Sequence, residues 1–162
     1  MKPASVERTI SLLKKEYPHA KYYLSFSSPI ELLVAAIMSA QVRDEVVNAT
    51  TKHLFKKYKN AEDFSKIDEN DIKSVTFYKN KAKHIREACK IIAEKYNGTV
   101  PKTIENLMEL PGIGRKTANA ILINAFNIVT GIVIDTHVIR ISYRLGWTKQ
   151  KNPDKIEQDL MK

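Results

Sequence analysis

One cysteine, one tryptophan and five glycines in 162 residues put several classes of protein out of reach. Cys89 alone closes no internal disulfide and builds no multi-cysteine metal site, and so sparse a use of thiols suits a reducing compartment. It falls on an apolar helix face with no thiol-activating group nearby, so packing is its expected role. No leader pattern opens the chain, and no apolar run reaches the ~20 residues that a membrane span needs. The expectation is a cytoplasmic protein, nucleoid-associated if its partner is DNA, with no membrane contact. Strand-period alternation is also missing, except in a β-branched stretch at 128–134 that reads better as an extended connector.

What the chain has in excess is positive charge. Lysine and arginine number 27 against 18 aspartate and glutamate, a formal net charge of +9. That balance favours a polyanionic partner, although basic chains without one are common. With 43% apolar residues, a chain of this length can bury a core as one domain or as a pair of small ones.

The apolar residues recur at helical spacing almost throughout. Val6, Ile10, Leu13 and Tyr17 make one face of a helix that Pro18 stops. Ser28 caps the next, with Pro29 in its first turn, and residues 30–40 are apolar on nearly every side, as in the central helix of a bundle. Asp44 is expected to cap a helix over 45–58. Shorter helices follow Asn60 and Asp68, and one over 81–96 carries Ala82, Ile85, Cys89, Ile92 and Tyr96 on a stripe that ends at Asn97 and Gly98. Thr103 caps 104–110. Beyond residue 126, helices are expected over 136–145, which presents Arg140 and Arg144, and from Pro153 to the end.

Two stretches stand apart from this pattern. In LPGIGRKTANAILINAF (110–126), Leu110 closes one helix, residues 111–114 make a tight turn, and 115–126 form a second helix with Ala118, Ile121, Leu122 and Ala125 on its apolar stripe. Gly112 and Gly114 permit positive φ and remove the Cβ atoms that would hold a large ligand off the backbone. The N–H groups of the second helix point into that turn, so the site suits a phosphate and reads no base. Lys116 occupies the face away from the stripe. A solvated lysine or a further phosphate contact is the ordinary reading, but next to Arg115 and near a positive helix end its charged form is disfavoured. That is how an amine becomes a nucleophile, provided burial contributes. In the second stretch, VIDTH (133–137), Asp135 is a natural helix N-cap. The joint at 76–81 is basic and aromatic, and its Lys79 and Lys81 suit a second phosphate as well as they suit plain solvation.

LPGIGRKTAN followed by VIDTH is similar to the endonuclease III family of helix-hairpin-helix DNA glycosylases. The resemblance extends to FSSP (26–29), SAQ (39–41), Asp44 and YKNKA (78–82), and so through most of the chain. It implies an all-α fold, a six-helix bundle over 22–127 ending in the hairpin, with a smaller helical domain built from 1–21 and 128–162. It implies base-excision repair of double-stranded DNA carrying a damaged base, oxidised pyrimidines above all, or an abasic site. Lys116 would be the amine that attacks the sugar C1′, Asp135 the carboxylate that assists it, and β-elimination would follow from the lysine Schiff base. Gln41 would fill the gap left by an extruded base, a task its amide suits because it donates and accepts at once. Gly112, Ile113, Gly114 and Arg115 at the hairpin, with Lys79 and Lys81, would hold the DNA backbone. A monomer is expected.

The chain departs from the family at its end. Members usually continue for several helices and finish in four cysteines ligating a [4Fe–4S] cluster, and those four are not in this sequence. No cofactor is therefore expected in this chain, and the Schiff-base chemistry needs none. The helix from Pro153, with Ile156 and Leu160 on its apolar side, is expected to leave apolar surface without a partner. That favours a fragment over a natural short form. Two other functions stay open: a monofunctional mismatch or adenine glycosylase, which would not be expected to place lysine at 116, and a helix-hairpin-helix module that binds DNA without chemistry.

Overall fold

The computed structural model describes residues 3–162, and among them every regular element is helical. In chain order these are α1 (Val6–Glu16), α2 (Pro29–Ser39), α3 (Asp44–Lys57), α4 (Ala61–Phe64), a 3-10 turn (Glu69–Ile72), α5 (Tyr78–Lys95), α6 (Ile104–Met108), α7 (Arg115–Phe126), α8 (Thr136–Arg144) and α9 (Pro153–Leu160). The β-branched stretch before α8 forms no strand and stays an irregular connector.

Local chemistry sets most of these boundaries. Ser28, Asn60, Asp68, Thr103, Asp135 and Asn152 each accept a backbone N–H from the first turn they cap, which serves donors a helix start would otherwise leave unpaired. Asp44 departs from expectation. It is the first residue of α3, and Arg43 holds the cap position with no side-chain bond, so the carboxylate acts on the positive helix end rather than as a cap. Helix α5 begins three residues before the expected 81, after Phe77 in a left-handed conformation at φ 57°. That strained start puts Lys81 on the second turn of a helix and not at its first residue.

Two compact units divide the chain, one of Tyr23–Thr130 and one of Gly131–Lys162 with the N-terminal residues through Tyr22. The first holds six helices, α2 to α7, around α2, whose residues Ile30 to Met38 are all buried. Leu32, Leu33, Ile85, Ile92, Leu107, Ile121 and Leu122 form the centre of its core. Each such side chain contributes about 1.5–3 kcal/mol by leaving water. Glu31, also buried, is satisfied by Ser27, whose N–H and hydroxyl donate to Oε2 at 2.6 and 2.7 Å.

The second unit ties its two chain segments by backbone and side chain. Ala4 N–H donates to Leu145 O at 2.8 Å, and the Trp147 indole donates to Ala4 O at 2.8 Å. Helix α9 is better covered than its sequence suggested: Ile156 is fully buried, and Glu157 beside it accepts the Ile132 N–H at 3.1 Å. The apolar residues of α1, by contrast, are all exposed, from Ile10 at 40% to Leu12 at 58%, as is Tyr17 just after it.

Candidate nucleic-acid interface

Helices α6 and α7 are joined by a turn whose conformation rests on its glycines in two different ways. Gly112 has φ +84° and an added Cβ would stand 3.2 Å from His84. Gly114 is extended at φ −97°, ψ 175°, with nothing within 4 Å of its missing Cβ. The first glycine shapes the turn and the second keeps its surface open. Ile113 between them does neither: its side chain is 6% exposed within the core, and its N–H donates to Leu110 O at 3.1 Å. It anchors the hairpin from beneath, so of the hairpin residues expected at a DNA backbone its side chain is the one turned inward.

No side chain caps α7 at Gly114, which leaves the positive end of a twelve-residue helix facing the open side of the turn. The other end is closed by Asn127 at φ 55°, with Asn127 N–H on Ile123 O at 3.1 Å and Ile128 N–H on Leu122 O at 3.0 Å. Ala118, Ile121 and Leu122 seat the helix in the core, which fixes the opposite face outward. Lys116 lies on that face, and both it and its neighbour Arg115 are exposed. The burial expected for Lys116 is therefore not supplied by its own fold. The stripe that faces the core is complete without it.

Asp135 caps α8, its Oδ1 accepting the Val138 N–H at 2.7 Å, and the residue is half-buried. One of its oxygens is thus committed to the helix, and the carboxylate is held in a fixed orientation. The residue belongs to the second unit and Lys116 to the first.

Gln41 lies in a reverse turn at the end of α2. Ala40 at φ −57°, ψ 115°, then Gln41 at φ 56°, with Val42 N–H on Ser39 O at 3.1 Å, describe a type II turn whose third position usually takes glycine or asparagine. A glutamine there is costly, about 1–2 kcal/mol for an L-residue in left-handed backbone. Its side chain is exposed. The turn is held from α5 and the residues leading into it: Lys81 Nζ donates to Met38 O at 2.9 Å and to Ala40 O at 2.7 Å, and Thr76 Oγ1 donates to Gln41 O at 3.2 Å.

Lys81 thus contradicts the expectation that it meets phosphate. It is 6% exposed, its ammonium is spent on two carbonyls inside the fold, and burial pushes its pKa down. The sequence placed it at the joint, as the first residue of the helix over 81–96, where a lysine is solvated, and the earlier start of α5 turns it inward. Lys79, two residues before, is exposed as expected. Thr76 was not singled out from the sequence, and an exposed threonine ahead of a helix gives no signal that it bonds a carbonyl 35 residues away.

Cys89 is buried in α5, and its thiol is pushed up to about 12 by that burial. Among the described residues no group of three or more histidine, cysteine, aspartate or glutamate side chains is placed to hold a metal ion. One inert thiol cannot supply the four thiolates of a [4Fe–4S] centre, so residues 3–162 do not fit that group. No described helix is long and apolar enough to cross a membrane.

A helical unit ending in a glycine hairpin with an uncapped helix, an exposed lysine in that helix's first turn, and a capping aspartate after it define a class, and a family model agrees. Residues 34–162 match the HhH-GPD superfamily of base excision DNA repair proteins, and the chain belongs to that family. Within it the chain is similar to endonuclease III: it is 48% identical to that of Synechocystis over 93% of this chain and 71% of the relative, and 43% identical to that of Bacillus subtilis over 97% and 74%. Two solved structures, a non-covalent endonuclease III–DNA complex and a trapped endonuclease III–DNA covalent intermediate, each superpose with a TM-score of 0.90 at 40% identity, covering 96% of this chain and 75% of theirs. The protein is a base-excision DNA glycosylase and abasic-site lyase.

Proposed function

We propose that this chain binds damaged double-stranded DNA as a monomer, removes an oxidised pyrimidine and cuts the strand at the resulting abasic site by β-elimination. The observation that carries the reading is the conjunction, on α7, of an open uncapped helix start at Gly114 with an exposed lysine at 116. The first feature suits a phosphate and the second suits attack on the sugar attached to it. The relatives whose complexes with DNA, one of them covalent, superpose on this chain support it.

In this reading Gly112, Gly114 and Arg115 meet one stretch of backbone, with Lys79 adding charge. These contacts carry no base information, so they set register only. Extrusion of the damaged base costs least where pairing is already weak, and Gln41 takes the vacated space. The Lys116 amine then attacks C1′, the bond from C1′ to the base nitrogen breaks, and the base leaves with its electron pair and a proton. The C1′–O4′ bond then breaks, O4′ takes a proton to become a hydroxyl, and the opened sugar carries a protonated Schiff base at C1′. Loss of a proton from C2′ pushes electrons toward C3′, and the 3′-phosphate departs. Asp135 offers a negative charge to the developing sugar cation and a site for a proton in transit. Because Lys116 is exposed in the free protein, its desolvation accompanies the bound duplex.

The test is a pair of measurements on defined duplexes. Affinity for undamaged DNA should fall steeply between about 50 and 200 mM salt, and a duplex with one oxidised pyrimidine should yield free base and a nicked strand in step. Base release without nicking would assign the monofunctional class, and binding without either would leave a DNA-binding module.

A further inference from the structure

Four consecutive carbonyls close the end of α2, and all four are bonded, by three donor groups. Met38 O and Ala40 O receive the Lys81 ammonium, Ser39 O the Val42 N–H, and Gln41 O the Thr76 hydroxyl. The last carbonyls of a helix have no partner within it and must find one outside. Here two of the four are bound by a lysine that is 6% exposed, at the cost of desolvating a cation. The structure so secured is the one in which Gln41 takes φ 56° and stays exposed.

We propose that Lys81 is a positioning residue: its buried ammonium, with Thr76 beside it, locks the turn that aims Gln41 at the gap opened by base extrusion. The inference rests on the role given to Gln41 above. The ammonium bridges the carbonyls on either side of Ser39, and a type II turn cannot relax to a type I turn without rotating the peptide that carries Ala40 O. Removing the donor frees that rotation. A buried lysine is suited to the task because its three N–H groups reach two acceptors at once. Thr76 holds the following carbonyl, so the lock comes wholly from the residues leading into α5 and its first two turns.

Three readouts in the full chain separate this from a phosphate contact and from a plain structural role. First, Lys81→Met should speed hydrogen exchange at the Val42 amide tenfold or more relative to amides in the middle of α2 and α7. Unchanged exchange at Val42 overturns the lock. Second, the slope of log affinity against log salt on undamaged duplex should match wild type, and a slope smaller by about 0.9 would make Lys81 a phosphate ligand and overturn the proposal. Third, single-turnover base release should slow tenfold or more in Lys81→Met, and Lys81→Met with Gln41→Ala should be no slower than Gln41→Ala alone. Multiplying effects would show that Lys81 acts elsewhere. If Gln41→Ala releases base at the wild-type rate, the role of Gln41 fails by itself, and the exchange measurement still decides whether Lys81 fixes the turn. Because loss of a buried ammonium can disturb folding, Thr76→Val supplies a second probe at an exposed site, expected to raise Val42 exchange in the same direction by a smaller factor.

Discussion

The ring of His84, on α5, stands 3.2 Å from the place a Cβ on Gly112 would occupy, and Gly112 holds φ at +84°. Gly114, two residues on, is extended and faces open space. The two glycines of one hairpin are therefore separable by mutation. Gly112→Ala should lower the unfolding temperature, since left-handed backbone costs a non-glycine residue about 1–2 kcal/mol before the histidine is moved. Gly114→Ala should cost less, about 0.5–1 kcal/mol, because alanine is a poorer N-cap than glycine but the extended backbone and open space at Gly114 accept a Cβ without strain, and yet it should lose duplex affinity. Calorimetry beside a filter-binding or anisotropy titration checks both.

Gln41 gives a prediction of opposite sign in stability and activity. Gln41→Gly relieves the cost of φ 56°, so the protein should melt higher or unchanged, while base release slows. Thermal unfolding with single-turnover kinetics on a damaged duplex measures the pair. A variant that is both less stable and fully active would contradict the assignment.

Acid sensitivity has a named source at the joint of α3 and the 3-10 turn. Lys57 Nζ and Tyr58 OH each donate to Asp71 Oδ2 at 2.6 Å, and these bonds, Lys57's first, hold the Asp71 carboxyl below the ordinary carboxylate range. A lowered folded value means stability that is fully present above the unfolded value and lost as pH falls through the folded one. Asp71→Asn should thus be less stable than wild type near neutral pH, and the two unfolding temperatures should converge below about pH 4. Curves that stay parallel down to acid pH would assign the bond no linkage.

Much of the architecture was legible because helix signals are local. Arg115–Phe126 has the bounds its apolar stripe and glycine turn imply, and Thr103 and Asn60 cap where hydroxyl and amide side chains are expected to. The misreadings share a cause: they turn on partners distant in sequence. Lys81 reads as a solvated cation at the start of a helix until carbonyls 43 and 41 residues earlier claim it, and Ile113 reads as part of an exposed turn until the core takes its side chain. The family resemblance carried by LPGIGRKTAN and VIDTH pointed to the chemistry, whereas the buried or exposed state of Lys116 follows from which face of α7 the core uses.

Asp135 supplies a test of charge apart from geometry. Asp135→Asn keeps an N-cap acceptor for the Val138 N–H and removes the negative charge, so the proposed role requires a loss of ~10²–10³ in rate, roughly 3–4 kcal/mol, at nearly unchanged affinity. Single-turnover kinetics and a binding titration on the same duplex measure it. An unchanged rate would reduce Asp135 to a helix cap.

The most direct measurement is borohydride reduction of the protein with an abasic or damaged duplex, followed by mapping of the modified peptide. The account predicts one covalent adduct, located on Lys116 and absent in Lys116→Gln, whose duplex affinity stays close to wild type because the side chain remains long and polar. An adduct that forms at the wild-type rate in Lys116→Gln, or that maps to another amine, would contradict it.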